Sequence, residues 1–202
     1  AASHAARLST QLGGGVEVEG VQYSLTRKLA DGGFSEVFAV RGPDGAEFAL
    51  KRCLAQTPES LKDLKREVFV HQQVPHPHVL RLVASEIVQS PRVARAKEAL
   101  LIFPLYPAGT VADALEAANA PSGGAWPFPE RVAARLFLGV LQGTAALHSR
   151  GFRHGDIKPH NILLSATDPG AARGVLMDLG SCSKVRIRVG TRSEALLLQD
   201  ES

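Results

Sequence analysis

Short β-prone runs, apolar with polar ends, span Tyr23 to Leu29, Glu36 to Arg41 and Glu47 to Lys51, with the Gly32-Gly33 and Gly42-Pro43-Asp44-Gly45 turns between them. Successive β-prone runs bounded by glycine-rich breaks predict an antiparallel meander. The pattern changes at Thr57-Pro58, where an N-cap residue precedes a proline at the first helical position. A helix is predicted over Glu59 to Val74, stopped by Pro75 and Pro77. Leu61, Leu64, Val68 and His71 share one face of it, and Glu67 lies on that same face, an odd place for a carboxylate. Leu80 to Val88 and Ala99 to Phe103 predict two more strands, flanking a loop that carries Arg92 and Arg95. Five strands and one helix thus account for the first half.

The second half opens with a short helix over Thr110 to Ala118, then a Ser122-Gly123-Gly124 linker, then a helix from about Pro129 to His148. Val132, Leu136, Val140, Gly143 and Leu147 form one stripe of the long helix. Phe137, Leu138 and Leu141 widen it until most of the circumference is apolar, which predicts burial on several sides. A polar loop follows over His154 to Asn161, then short strands at Ile162 to Leu164 and Val175 to Met177 joined through Asp168-Pro169-Gly170. Residues 1–20, with a triple glycine at Gly13 to Gly15, read as a flexible lead-in.

The composition narrows the function classes. At 202 residues and 45% hydrophobic, the chain can bury a core without disulfides or metals, as one domain or two small lobes sharing a cleft. No apolar run reaches the roughly 18 residues that a membrane-spanning helix needs. A net charge of +3 with only 5% aromatics supplies neither the charge clustering nor the stacking platforms of a nucleic-acid binder. Cys53 and Cys182, far apart in sequence, suit a reducing compartment such as the cytoplasm.

Four features carry candidate chemistry. Leu29-Ala30-Asp31-Gly32-Gly33-Phe34-Ser35-Glu36-Val37 places small residues between two strands, where backbone can fold over phosphates, although a glycine pair there is more often just a hairpin. Lys51 ends the third strand, and Glu67 on its apolar helix face needs a cation. His154-Gly155-Asp156-Ile157-Lys158-Pro159-His160-Asn161 gathers a carboxylate, an ammonium and a carboxamide in one loop. Met177-Asp178-Leu179-Gly180 then delivers a second carboxylate after a β-turn-β connection. Asp178 and Asn161 can chelate a divalent cation, leaving Asp156 to receive a proton. A dinucleotide-binding reading of the glycines fails, because a helix should open directly after them and Glu36 to Arg41 reads as strand.

Glycine loop, strand lysine, helix glutamate, H-x-D-x-K-x-x-N and D-x-G, in that order, resemble the eukaryotic protein kinase signature. Gly32-Gly33-Phe34-Ser35, Pro104 in the hinge, Met177 to Ser181 and Ala195 to Asp200 are most similar to the serine/threonine kinase 16 subfamily of Numb-associated kinases. The resemblance implies an α+β, two-lobed fold. Residues 21–106 would be a β-rich N-lobe with one helix plus the hinge, and 107–202 a partial helical C-lobe ending within the activation segment.

It further implies a transferase that moves the γ-phosphate of ATP, with Mg²⁺ or Mn²⁺, to Ser or Thr hydroxyls of protein substrates. Gly32, Gly33 and Ser35 would cover the phosphates, Lys51 would hold the α- and β-phosphates, and Glu67 would hold Lys51. Leu29, Val37 and Ala49 would contact the nucleotide, Phe103 would be the gatekeeper, and Leu105 to Tyr106 the hinge. Asp156 would be the catalytic base, Lys158 would assist the γ-phosphate, and Asn161 and Asp178 would bind the metal. A peripheral position on Golgi membranes is a further implication of the resemblance.

Three departures from the family pattern stand out. Gly155 replaces an arginine that in many kinases grips an activation-loop phosphate, so activity without that phosphate is expected. Leu179 replaces the usual phenylalanine. The chain reaches Ser202 before the A-P-E motif and the helices beneath it, so a nucleotide-binding interaction protein without catalysis is the alternative reading of this stretch.

Overall fold

The computed structural model describes residues 14–120, 127–168 and 170–185, and every structural statement below concerns those residues. The first half is a six-stranded antiparallel sheet in the order β1-β2-β3-β4-β6-β5. Its strands are β1 (Gly15–Val18), β2 (Val21–Asp31), β3 (Ser35–Arg41), β4 (Glu47–Ala55), β5 (Ala84–Gln89) and β6 (Lys97–Pro104). Register explains the two faces. Phe38 pairs with Leu50 and Leu50 with Ile102, and these three close one core with Val18, Tyr23, Val40 and Leu100. One residue along, Ala39 pairs with Ala49 and Ala49 with Phe103, turning the opposite face toward the cleft between the halves.

The lead-in expected over residues 1–20 is corrected in part: Gly15–Val18 is an edge strand paired with β2. Glu19 and Gly20, both at positive φ, make the tight turn, and Val18 is fully buried. The apolar pair Val16 and Val18 gains a place in the core only by joining the sheet, and a four-residue run is too short to show that period by itself. Residues 1–13 lie outside the described residues, as does the Ser122-Gly123-Gly124 linker.

Helix α1 (Pro58–Gln73) begins where Thr57 and Ser60 cap each other's backbone N–H groups. The strand expected from Leu80 begins only at Ala84. The backbone before it is committed elsewhere: Leu80 N–H donates to Leu176 O and Leu176 N–H to His78 O, at 2.8 and 2.9 Å. That stitch joins the N-terminal sheet to the helical half. Helix α2 (Val111–Asn119) is capped by Thr110 and Asp113 in the same reciprocal way.

Helix α3 (Glu130–Ser149) buries the predicted stripe, with Val140 and Leu147 against Val70, Val79, Leu176 and Leu179. It approaches its neighbours closely: a Cβ on Gly143 would stand 2.5 Å from His78 O. Burial on several sides is not found among the described residues, because Phe137, Leu138 and Leu141 are 62, 53 and 49% exposed. After α3 come β7 (Phe152–Arg153), β8 (Ile162–Leu164), β9 (Gly174–Leu176) and β10 (Ser183–Lys184), paired β7 with β10 and β8 with β9. No helix among the described residues is long and apolar enough to cross a membrane.

Candidate active site

A cleft of about 560 Å³ separates the sheet from the helical half. Its roof is Leu29, Ala30, Ser35 and Val37 from β2 and β3 with Ala49 and Lys51 from β4. Glu67 and His71 reach it from α1, and Phe103, Leu105 and Tyr106 form its back edge where β6 leaves the sheet. Asn161, Leu163, Met177 and Asp178 make the floor. Eleven of the residues singled out from sequence therefore face one space: Leu29, Ser35, Val37, Ala49, Lys51, Glu67, Phe103, Leu105, Tyr106, Asn161 and Asp178. Gly32, Gly33, Asp156 and Lys158 do not line it. The two glycines cross the β2–β3 loop, closed by Gly32 N–H donating to Ser35 O at 2.7 Å, and Asp156 joins the floor through its bond with Asn161.

Lys51 is held between two carboxylates. Its Nζ lies 2.8 Å from Glu67 Oε1 and 2.8 Å from Asp178 Oδ1. Burial alone would favour the neutral amine, but the charges of Glu67 and Asp178 outweigh it and raise the lysine above its ordinary value. Lys51 is thus the cation that Glu67, 4% exposed on its apolar helix face, required. Asp178 sits in the left-handed region at φ 60°, a conformation that costs a non-glycine residue energy and that the neighbouring contacts sustain.

Asp156 is anchored through one oxygen. Lys158 Nζ lies 2.7 Å from Oδ2 and Asn161 Nδ2 donates to the same atom at 2.8 Å. The bond from Lys158, with help from Asn161, keeps the carboxyl below its ordinary range, so it is anionic at neutral pH. Behind it, His154 is 1% exposed and bridges both acidic segments. Its Nε2 is 3.0 Å from Met177 O and its Nδ1 accepts from Asp156 N–H at 3.3 Å. Burial holds this imidazole below its ordinary value, matching a neutral ring that donates at Nε2 and accepts at Nδ1.

Residues 23–195 match the protein kinase domain. The chain belongs to the protein kinase family. It is 37% identical over 188 residues to mouse (Mus musculus) serine/threonine-protein kinase 16 and 38% over 189 residues to the human (Homo sapiens) protein of that name. Each match takes in 93% of this chain and 58% of the relative, so the chain spans less than two thirds of their length. A probable serine/threonine-protein kinase of Dictyostelium discoideum is 32% identical over 153 residues, 73% of this chain and 41% of that one.

In the two-lobed fold of this family the sheet corresponds to the β-rich N-lobe. Gly155 gains a different meaning from the one its sequence position suggests. Its φ is +86°, and a Cβ there would stand 2.6 Å from Ser181 O. The position is closed to an arginine unless the backbone moves, because the loop that carries Asp156 packs directly on the turn after Asp178.

Several site residues escape a reading of the sequence. Leu163 and Met177 could have been found, since they lie two residues after Asn161 and one before Asp178. His71, by contrast, reads as core. Its Nδ1 bonds Leu80 O at 2.9 Å, its ring packs on Phe103 with centroids 5.1 Å apart, and it still borders the cleft. His160, which also lines the cleft, stands in the polar loop beside Asn161, whereas Arg27 and Asp113 carry no local signal.

Proposed function

We propose that this kinase transfers the γ-phosphoryl group of ATP to Ser or Thr hydroxyls of protein substrates. The observation that carries the reading is Lys51 locked between Glu67 and Asp178 across a cleft whose floor ends at the Asn161-anchored Asp156. A lysine held by two carboxylates is a fixed positive charge aimed at the phosphates, and phosphoryl transfer depends mainly on such positioning and charge neutralisation.

Asn161 and Asp178 suit a divalent cation. With Asn161 Nδ2 committed to Asp156 and Asp178 Oδ1 to Lys51, the amide oxygen of one and Oδ2 of the other have no protein partner among the described residues. Both are hard oxygens of the kind that Mg²⁺ or Mn²⁺ takes. A cation there would neutralise phosphate charge.

The chain's own residues supply the rest. Val37, Ala49 and Leu163 offer apolar surfaces to a flat base, and Phe103 closes the rear of the cleft. Asp156 uses Oδ2 for Lys158 and Asn161, so Oδ1 is the oxygen open to an incoming hydroxyl. Lys158, half-exposed beside it, is placed to assist the γ-phosphate by neutralising its charge. Lysine two residues after the base matches the serine/threonine pattern.

The test is transfer of labelled phosphate from ATP to a general protein substrate, with Asp156→Asn as control. Phosphoserine or phosphothreonine lost in the variant supports the reading. Nucleotide binding without transfer would instead favour a non-catalytic role for this stretch.

A further inference from the structure

We propose that Arg92, outside the cleft, is a positioning residue that clamps the glycine loop through Glu36. This rests on the reading of the cleft as a nucleotide site. Strand alternation turns Ser35 and Val37 of β3 into the cleft and Glu36 to the opposite face. There Glu36 collects three cations. Lys28 Nζ of β2 is 2.9 Å from Oε1, while Arg52 Nη2 of β4 and Arg92 Nη1 of the β5–β6 loop are 2.9 and 2.5 Å from Oε2. Burial of Glu36 opposes ionisation, but these bonds overcome it and lower the carboxyl to about 2.

Arg92 differs from the other two cations because it joins separate parts of the sheet. Its Nε bonds Glu98 Oε1 at 2.9 Å, and Glu98 is 2% exposed and also accepts from Ser90 Oγ at 2.7 Å. Each side of the bridge is itself fixed. Ser90 Oγ accepts from the backbone N–H of Arg92 and Val93, and Ser90 N–H bonds Ala96 O, closing the loop on itself. An exposed ion pair contributes little to stability, but this arginine links one partly buried carboxylate to a fully buried one.

The consequence reaches the phosphate-covering segment within a few bonds. Phe34 O, at the loop tip, accepts from Leu54 N–H at 2.9 Å, and Gly32 N–H bonds Ser35 O. Both contacts hang on the strand end that Glu36 pins. Without the clamp, the loop keeps its sequence and its glycines but loses its fixed height over the cleft.

The experiment pairs amide hydrogen exchange on the nucleotide-free chain with titration of N-methylanthraniloyl-ATP in Mg²⁺. Arg92→Ala breaks both bonds and leaves Glu98 with Ser90 Oγ but no cation. Glu36→Gln is the gentler variant, removing the charge that the loop is pinned by while leaving Arg92 on Glu98. Both should speed exchange at the Gly32 and Leu54 amides while the β4–β6 ladder stays protected, and both should weaken nucleotide binding roughly three- to tenfold. Unchanged exchange at those two amides in Glu36→Gln would overturn the clamp. Failure of the wild-type chain to bind the analogue would sink the nucleotide reading instead, and the exchange data would still decide the clamp.

Discussion

The side chain that Gly155 lacks would begin 2.6 Å from the carbonyl oxygen of Ser181. The loop carrying Asp156 and the turn after Asp178 are therefore in backbone contact. A left-handed glycine makes that contact possible. Gly155→Ala should cost about 2 kcal/mol of stability, from the positive φ and the displaced carbonyl together. Thermal unfolding checks the cost. Because both acidic segments must shift, affinity for Mg²⁺-nucleotide should fall with it, and an alanine variant with wild-type melting and binding would disprove the contact's importance.

Glu67→Gln removes the buried partner of Lys51 but leaves Asp178 at 2.8 Å. Breaking a buried pair costs about 3–5 kcal/mol when the survivor is left alone. With one carboxylate remaining, a loss of about 2 kcal/mol is expected. Lys51 should then follow Asp178 away from α1, so nucleotide affinity drops as well. Denaturant unfolding and an analogue titration on the same preparation test the two effects together.

Nucleotide binding should depend on Mg²⁺, and Asp178→Asn should remove most of that dependence. The carboxylate is half-exposed and has one oxygen without a protein partner among the described residues, so it can serve the cation while still holding Lys51. Titrations with and without EDTA, on wild type and variant, give the comparison. Magnesium-independent binding by the wild type would remove the roles assigned to Asn161 and Asp178.

Acid should destabilise the fold through His71. Burial, the largest influence, lowers this imidazole from 6.5 to about 4, while in the unfolded chain it titrates at its ordinary value. As pH falls below 6.5 the unfolded state takes up the proton first, so stability present above that value is lost progressively down to about 4. The loss from this group is on the order of 3 kcal/mol. His154, also lowered, acts in the same direction. His71→Leu should flatten the pH dependence of unfolding between those limits, and an unaltered curve would contradict the assignment.

The exposed face of α3 predicts a sticky chain. Phe137, Leu138 and Leu141 lie together on one helix surface as a contiguous exposed apolar patch. The 202-residue chain should bind a dye that brightens on apolar surface. Replacing Phe137 and Leu141 by serine should reduce that signal and leave the melting temperature within about a degree, since exposed positions contribute little to stability. A dye-negative wild-type chain would refute it.

Much of this kinase was legible residue by residue. The β-prone runs and the glycine-rich turns between them showed the meander of β2 to β4, and Thr57-Pro58 marked the start of α1 because capping is a local event. The polar loop around Asp156 and the turn at Asp178 stood out because their chemistry is concentrated in a few adjacent residues. Glu67 called for a cation because a carboxylate on an apolar face cannot remain unpaired.

Tertiary structure alone decided the rest. That Lys51 has a second partner 127 residues away, that Arg92 reaches Glu36 across 56, and that Gly155 rests on Ser181 are facts of packing. The period of a strand or helix sets which way a side chain faces, and it says nothing of what stands opposite. That is set by register, by the crossing of elements and by the burial that makes an unpaired charge costly. For the same reason Val16 and Val18 became a sheet edge, where their few residues had shown no pattern, because only the assembled core offered them a surface to cover.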